Sequence, residues 1–438
     1  MAQSKDEKNA SQAAVAGGPK SLKRLLSILG PGLITGASDD DPSGIGTYAM
    51  AGASLGYSTL WMALVTFPLM AGVQLICARI GLVSGCGLAG IMRRRYSRWI
   101  VYPAIMALIV ANTINAAADI QAIAAGINLL IPVPIVTLTL PIGVLILVVQ
   151  VWGSYQLLAK IFRWLTLSLF AYIGAAFLAH PKWNEVLKGT VVPTFSFSKA
   201  YLSMLVAILG TTISPYLFFW QANQEVEEQM AKQHKRNSKP KTATSSELRI
   251  AAWDVNAGML LSNIVMYFII LATGATLHEA GKTHIDTATQ AAEALRPLAG
   301  EAAYVLMALG LIGTGVLAVP ILTGSAGYSF AEMVGWKCGL DKKPHAAKGF
   351  YWIIAAATAV ALVIDFVGVN PMDALFWTAV INGFLAPPML VIVMLIANDR
   401  KVMGRRANGL ILNFLGWATT AFMAVATIVL MISWASLS

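Results

Sequence analysis

Residues 30–52 read GPGLITGASDDDPSGIGTYAMAG, and residues 203–221 read SMLVAILGTTISPYLFFWQ. Each belongs to an apolar run long enough to cross a bilayer. Each is interrupted near its middle by a polar side chain followed by proline, Asp41-Pro42 in the first and Ser214-Pro215 in the second. Proline brings no backbone N–H and ends a helical ladder, and in hydrocarbon the freed carbonyls must find other partners. Two such breaks predict two discontinuous helices. A pair of interrupted spans in corresponding halves of a chain marks the binding site of a secondary transporter.

The rest of the chain agrees. Of 438 residues, 57% are hydrophobic and only 12% charged, where soluble proteins carry about 25% charge. That composition argues against a soluble enzyme, a nucleic-acid binder or a secreted disulfide scaffold, and the odd trio Cys77, Cys86 and Cys338 offers no disulfide framework. Apolar runs at roughly 26–55, 58–84, 99–129, 134–151, 156–179, 200–228, 254–276, 300–330, 350–367, 372–397 and 409–434 predict an all-α polytopic membrane protein of eleven spans. The two breaks lie five spans apart, so the halves enter the membrane from opposite sides. The expected organisation is a disordered cytoplasmic tail (1–25), a first five-helix repeat (26–180), an extracellular loop (181–199), an inverted second repeat (200–397), and a cytoplasmic loop with the eleventh helix (398–438). The tail lacks the apolar core of a signal peptide.

Charge sets the expected orientation. With the N-terminus inside, the inner segments hold Lys20, Lys23 and Arg24, Arg93 to Arg95 with Arg98, Lys160 and Arg163, the basic stretch 232–249, Lys337 to Lys348, and Arg400 to Arg406. The outer loops hold only Lys182, Lys188, Lys199, Lys282 and Arg296. The positive-inside rule then places the C-terminus outside, in the plasma membrane of a prokaryotic cell. The net charge of +10 follows from topology. The segment 232–249 is read as facing anionic lipid headgroups rather than nucleic acid, and no obligate protein partner is evident.

Asp39, Asp40 and Asp41 carry the most chemical information. Asp41 lies about fifteen residues into its span, some 22 Å along an ideal helix, and Ser214 lies similarly deep from the other side. A carboxylate at mid-bilayer costs ~2.5–3.5 kcal/mol on insertion scales, and no Lys or Arg lies mid-span to neutralise it. A visiting cation would do so; a helix cap or protonation are the structural alternatives. His180, His234, His278, His284 and His345 all fall in loops or at span edges, and no Cys approaches a break. The nearby groups are carboxylate, hydroxyl, amide and backbone carbonyl, a hard-oxygen set suited to Mg²⁺, Mn²⁺ or Ca²⁺. The eighteen methionines are scattered along apolar faces and read as packing. Candidate cation-site residues are Asp41, Gly44, Ser214, Thr211, Ser38, Asp40 and Asn382. Thr211 and Ser38 stand one turn before the breaks, and Asn382 stands with Thr378 on the tenth span. The ion is cargo, and no resident cofactor is expected.

Gly30-Pro31-Gly32 followed by Asp41-Pro42-Ser43-Gly44 resembles the first-helix signature of the NRAMP (natural resistance-associated macrophage protein) divalent-metal transporters, whose pattern there is Asp-Pro-Gly-Asn. Gly210-Thr211-Thr212-Ile213-Ser214-Pro215-Tyr216-Leu217 resembles the family block containing Met-Pro-His-Asn. The third span, VANTINAAADIQAIAAGINLL, and the fifth are also similar. The resemblance covers roughly residues 26–400 and implies the inverted fold of the amino-acid/polyamine/organocation transporters, with Asp41 at the family's metal-binding aspartate.

The departures are informative. The family's binding asparagine is Gly44 here and its binding methionine is Ser214; the following histidine and asparagine are Tyr216 and Leu217. Asp119 aligns with a family acidic residue, while flanking glutamates become Asn112 and Ala122 and the ninth span has no arginine. This pattern is similar to the NRAMP-related magnesium transporters, a branch without the methionine and without proton coupling. Loss of a thioether removes the bias toward softer metals, and smaller side chains enlarge the site for an ion that keeps its water. The expected function is uncoupled Mg²⁺ and Mn²⁺ transport by alternating access. The alternatives are a proton-coupled Mn²⁺/Fe²⁺ carrier and an amino-acid permease of the same fold, although an acidic triplet repels a substrate carboxylate. No Ser/His/Asp arrangement, phosphate loop or H-E-x-x-H motif supports a membrane enzyme.

Overall fold

The computed structural model describes residues 30–153, 170–236, 243–366 and 368–435, and every regular element among them is helical. The first span is split into α1 (Pro31–Asp39) and α2 (Pro42–Leu55). Next come α3 (Trp61–Ser84), a short α4 (Leu88–Arg95), α5 (Arg98–Leu130) and α6 (Ile135–Trp152). α7 (Ala171–Leu178) is the end of the expected fifth span; the remainder of that span, with Lys160 and Arg163, lies outside the described residues, as does the tail 1–25. The loop expected at 181–199 contains a helix, α8 (Trp183–Val191). The sixth span is split into α9 (Lys199–Thr212) and α10 (Pro215–Arg236). α11 (Ser245–Thr273), α12 (Ala303–Val334), α13 (Lys348–Asp365), α14 (Pro371–Asn398) and α15 (Leu410–Ala435) complete the bundle. Nine helical stretches among the described residues, one of them running through the α9–α10 break, are long and apolar enough to cross a membrane. The halves of the first span are each too short to be counted there, and the described residues do not establish the full count of eleven.

The packing shows the inverted repeat. Advancing five spans turns the first span into the sixth and the second into the seventh. Accordingly α1 packs on α11, the seventh span, and α10 packs on α3, the second. The third and eighth spans, α5 and α12, form the most extensive pair, which the same operation maps onto itself. The breaks therefore face one another across the middle of the bundle, enclosed by α5, α11 and α14.

Proline starts three of the four half-helices, Pro31 at α1, Pro42 at α2 and Pro215 at α10, positions where a missing N–H costs nothing, while α9 begins at Lys199 behind a Ser198 cap. At α1 the residue before the helix is Gly30, which has no side chain to cap it. Asp254, from α11, performs that role across more than two hundred residues. Its Oδ1 accepts from Gly30 N at 2.8 Å and Leu33 N at 3.3 Å, and its Oδ2 accepts from Gly32 N at 2.7 Å. This carboxylate sits at the positive end of α1 and satisfies three otherwise orphaned donors. Below the cap the two backbones touch. A Cβ added at Gly32 would lie 2.6 Å from Val255 N, at Gly36 2.3 Å from the Gly258 carbonyl carbon, and at Gly258 2.2 Å from Gly32 O. Asp254→Ala should lower stability by about 1–3 kcal/mol, the cost of leaving buried donors unsatisfied. Asp254→Asn, which keeps one acceptor oxygen, should lose less. Thermal unfolding of the purified protein in detergent checks the ranking, and equal stability of all three forms would contradict the cap.

Among the described residues, the basic segments around Arg95 and Arg400–Arg406 meet at one end of the bundle. Arg95 bonds Asp399 at 2.5 Å, Arg79 donates to the Arg406 carbonyl at 2.9 Å, and Glu332 of α12 accepts from Gly87 N and Gly90 N at the start of α4, both at 3.0 Å. Asp399 is held below the usual carboxylate range by the Lys401 backbone N–H and by Arg95. The three cysteines are free thiols, and Cys338 at this end is pushed up to about 12 by burial.

Candidate cation site at the helix breaks

The two breaks use their polar residues in opposite senses. Asp41 is extended, with φ −64° and ψ 169°, and turns forward onto α2 as its N-cap. Its Oδ1 accepts from Ser43 Oγ at 2.6 Å and Gly44 N at 2.8 Å; its Oδ2 accepts from Tyr216 Oη at 3.2 Å and Asn115 Nδ2 at 3.3 Å. Four donors on one buried carboxylate stabilise its charged form, each charge-assisted bond being stronger than a neutral one. Ser214 turns backward. Pro215 has no N–H for the Thr211 carbonyl, and the Ser214 hydroxyl donates to Gly210 O and Thr211 O, both at 2.8 Å. It thereby satisfies carbonyls that the break would leave bare. The proton of Ser214 is thus engaged by its own helix, and only its lone pairs remain for an ion.

The acidic triplet divides. Asp41 faces α5 and α10, whereas Asp39 and Asp40 both turn to α11, where Ser262 Oγ lies 2.7 Å from Asp39 Oδ2 and 3.1 Å from Asp40 Oδ1. Asp40, a candidate beside Asp41 in the sequence, therefore points away from it. Asp39, absent from the candidates, keeps a buried Oδ1 with no hydrogen-bond partner. The Ser38 hydroxyl donates to Ile34 O at 2.8 Å, and its carbonyl is taken by Tyr216 Oη at 3.0 Å.

Gly44 is closely surrounded, and any side chain there would press on its neighbours. A Cβ there would lie 3.2 Å from the Asp39 carbonyl oxygen, 3.2 Å from Thr211 Oγ1 and 3.3 Å from the Tyr48 ring. Thr211 Oγ1 and Tyr48 Oη are both buried and approach one another without completing a well-formed hydrogen bond. A backbone carbonyl, a hydroxyl and the edge of a phenol ring thus surround the point from which a larger residue would project. Asn382 on α14 is buried with an unpartnered Nδ2, while Thr378 bonds its own helix at Leu375 O. No group of three or more His, Cys, Asp or Glu side chains that could hold a metal occurs among the described residues. Any ion here would depend on hydroxyl, carbonyl and amide oxygens beside single carboxylates.

Sequence reasoning missed Tyr48 and Asn115, and named Asp39 in the acidic triplet without placing it among the candidate ligands. Tyr48 follows Gly44 by one helical turn, and Asn115 precedes Asp119 by one turn, so helical spacing from two named positions would have located both. Toward the basic end, Thr35 Oγ1 donates to Gln221 Oε1 at 2.5 Å and Gln221 Nε2 to Glu225 Oε1 at 3.0 Å. This polar file leads to a cleft of ≈ 60 Å³ lined by Glu225, Glu228, Glu247 and Asp254. Glu227 turns elsewhere, accepting from Tyr328 Oη and from Leu340 N.

An inverted pair of repeats whose broken helices meet at buried, oxygen-lined carboxylates is the architecture of a secondary transporter. A structure of Mhp1, a nucleobase-cation-symport-1 family transporter, in a closed conformation has this fold, with a TM-score of 0.58 at 13% identity over 92% of this chain and 90% of that one. The chain belongs to the natural resistance-associated macrophage protein-like (Nramp) family, whose profile matches residues 32–433. It is 27% identical over 409 residues to the divalent metal cation transporter MntH of Deinococcus radiodurans, covering 91% of this chain and 88% of that protein. The manganese transporter of Eremococcus coleocola shares the fold with a TM-score of 0.72 and 19% identity, covering 96% and 88% of the two chains.

Proposed function

We propose that this protein carries divalent cations, Mg²⁺ as well as Mn²⁺, by alternating access at the helix breaks, and that the metal moves without protons. The observation that carries the reading is the close approach of the Asp39 carbonyl, Thr211 Oγ1 and Tyr48 to Gly44, which brings oxygens of both breaks together where a larger residue would intrude. Orphaned oxygens suit a hard ion and offer acceptors to the water it keeps. The absence of a thioether at Ser214 points the same way. A relative named for divalent metal transport supports the general class of cargo. The basic end of the bundle is read as cytoplasmic, so a negative-inside potential would drive a divalent ion inward with ~2.3 kcal/mol per charge per 100 mV.

The groups at the breaks favour uncoupled movement. Tyr216 and Asn115 hold Asp41 from one side. A phenol of ordinary pKa ~10 scarcely exchanges protons near neutrality, and an amide does not titrate. Proteoliposomes at a clamped potential, enclosing a pH dye, should take up Mg²⁺ without internal acidification. Acidification that follows the metal flux and vanishes in transport-dead protein would favour the proton-coupled alternative.

A further inference from the structure

Asn112, Asn115 and Asp119 recur at i, i+3 and i+7 along α5, so their side chains share one face of the helix. They are 1%, 0% and 0% exposed. What their NH₂ groups hold fixes the direction of both amides. Asn112 Nδ2 donates to the Leu322 carbonyl at 3.2 Å, and Asn115 Nδ2 donates to Asp41 Oδ2 at 3.3 Å. Turning either amide over would set oxygen against oxygen, so the Oδ1 atoms are the free ends. Both are buried with no hydrogen-bond partner, and so are both carboxylate oxygens of Asp119. The backbone N–H of Ser43 faces Asp119 without completing a hydrogen bond, and the charged group acting on Asp119 is Asp41, of the same sign.

Buried acceptors left without donors are costly, and here four lie on one face. A cation would satisfy all four at once. Hard amide oxygens beside one carboxylate carry a single net negative charge, which a monovalent cation neutralises in full. The face borders the first break, where Ser43 N–H points toward Asp119, but the Asp41 oxygen nearest it, Oδ2, is already engaged by Asn115 Nδ2 and Tyr216 Oη.

We propose that the buried acceptor face of Asn115 and Asp119, extended one turn by Asn112, binds a monovalent alkali cation at a site distinct from the divalent-cation site. Asn115 and Asp119, one turn apart, would share the ion, and Asn112 would receive it on the side toward the start of α5. This proposal does not require the divalent-transport reading to hold, since its test reads binding and not metal flux.

The test is saturable binding of ²²Na⁺ and ⁸⁶Rb⁺ to the full chain purified in detergent, measured by scintillation proximity. At least one isotope should bind. Asp119→Asn should weaken that binding by about tenfold or more, and Asn112→Ala by several-fold, with unfolding temperature and gel-filtration profile as fold controls. Mg²⁺ in large excess over the isotope should leave the bound isotope in place. No saturable binding of either isotope to the unmodified chain would overturn the proposal, whatever the variants do. So would undiminished binding in a folded Asp119→Asn protein, or stoichiometric displacement by Mg²⁺, which would indicate one shared site.

Discussion

Asp41→Ala should abolish uptake of Mg²⁺ and Mn²⁺ together. Losing a partner of a metal ligand typically costs 10–100-fold, so losing the ligand itself should cost at least about 100-fold. The substitution also removes the N-cap of α2, an expense of about 0.5–2 kcal/mol, and strips Tyr216 and Asn115 of an acceptor. Uptake must therefore be compared with thermal stability in the same preparation. Asp41→Asn is the companion variant, because an amide oxygen can still accept at the cap while the charge is gone. If Asp41→Asn is stable and silent for both metals, the charge is what transport needs. A well-folded Asp41→Ala protein that carries both metals at the normal rate would remove Asp41 from the site.

The second large effect concerns selectivity. Gly44→Asn combined with Ser214→Met should reduce Mg²⁺ uptake about tenfold or more while Mn²⁺ uptake is retained or improved, because Mn²⁺ accepts sulfur and gives up water more readily. The geometry adds a contribution from each position. An Asn Cβ at 44 would stand 3.2 Å from the Asp39 carbonyl and Thr211 Oγ1, so these neighbours must yield by a few tenths of an ångström. Methionine at 214 takes away the hydroxyl that covers Gly210 O and Thr211 O, leaving two bare carbonyls beside a thioether. Competition between the two metals in proteoliposomes measures the ratio directly. Full Mg²⁺ transport with an unchanged ratio would mean that neither ligand softness nor space at Gly44 governs the choice.

The breaks were legible because proline beside a polar residue in an apolar run has few other meanings. Asp41-Pro42 and Ser214-Pro215 gave the discontinuous helices and, through their spacing, the inverted repeat. Side-chain direction was not legible. Three consecutive aspartates read as one anionic cluster, yet the chain leaves the helix at Asp40, with φ −86° and ψ 46°. The bend sends Asp39 and Asp40 to Ser262 and Asp41 to α5 and α10. Nor did the sequence reveal that Ser214 covers its own helix, because a serine before proline serves equally well as a forward cap or a backward donor. The helix at 183–191 was passed over because, in a polar setting, a short amphipathic stretch resembles a loop.

The glycine contacts between α1 and α11 constrain any attempt to redesign the carrier. At Gly32, Gly36 and Gly258, the atoms within 3 Å of an added methyl group belong to backbone. A side chain in the way can be shortened by a second substitution, whereas backbone cannot. No compensating change nearby would restore room for alanine at these positions, and a saturation scan should find them intolerant in every sequence background. A library meant to retune ion preference is better spent on residues of α2, α5 and α9 whose neighbours are side chains, because second-site repair remains possible there.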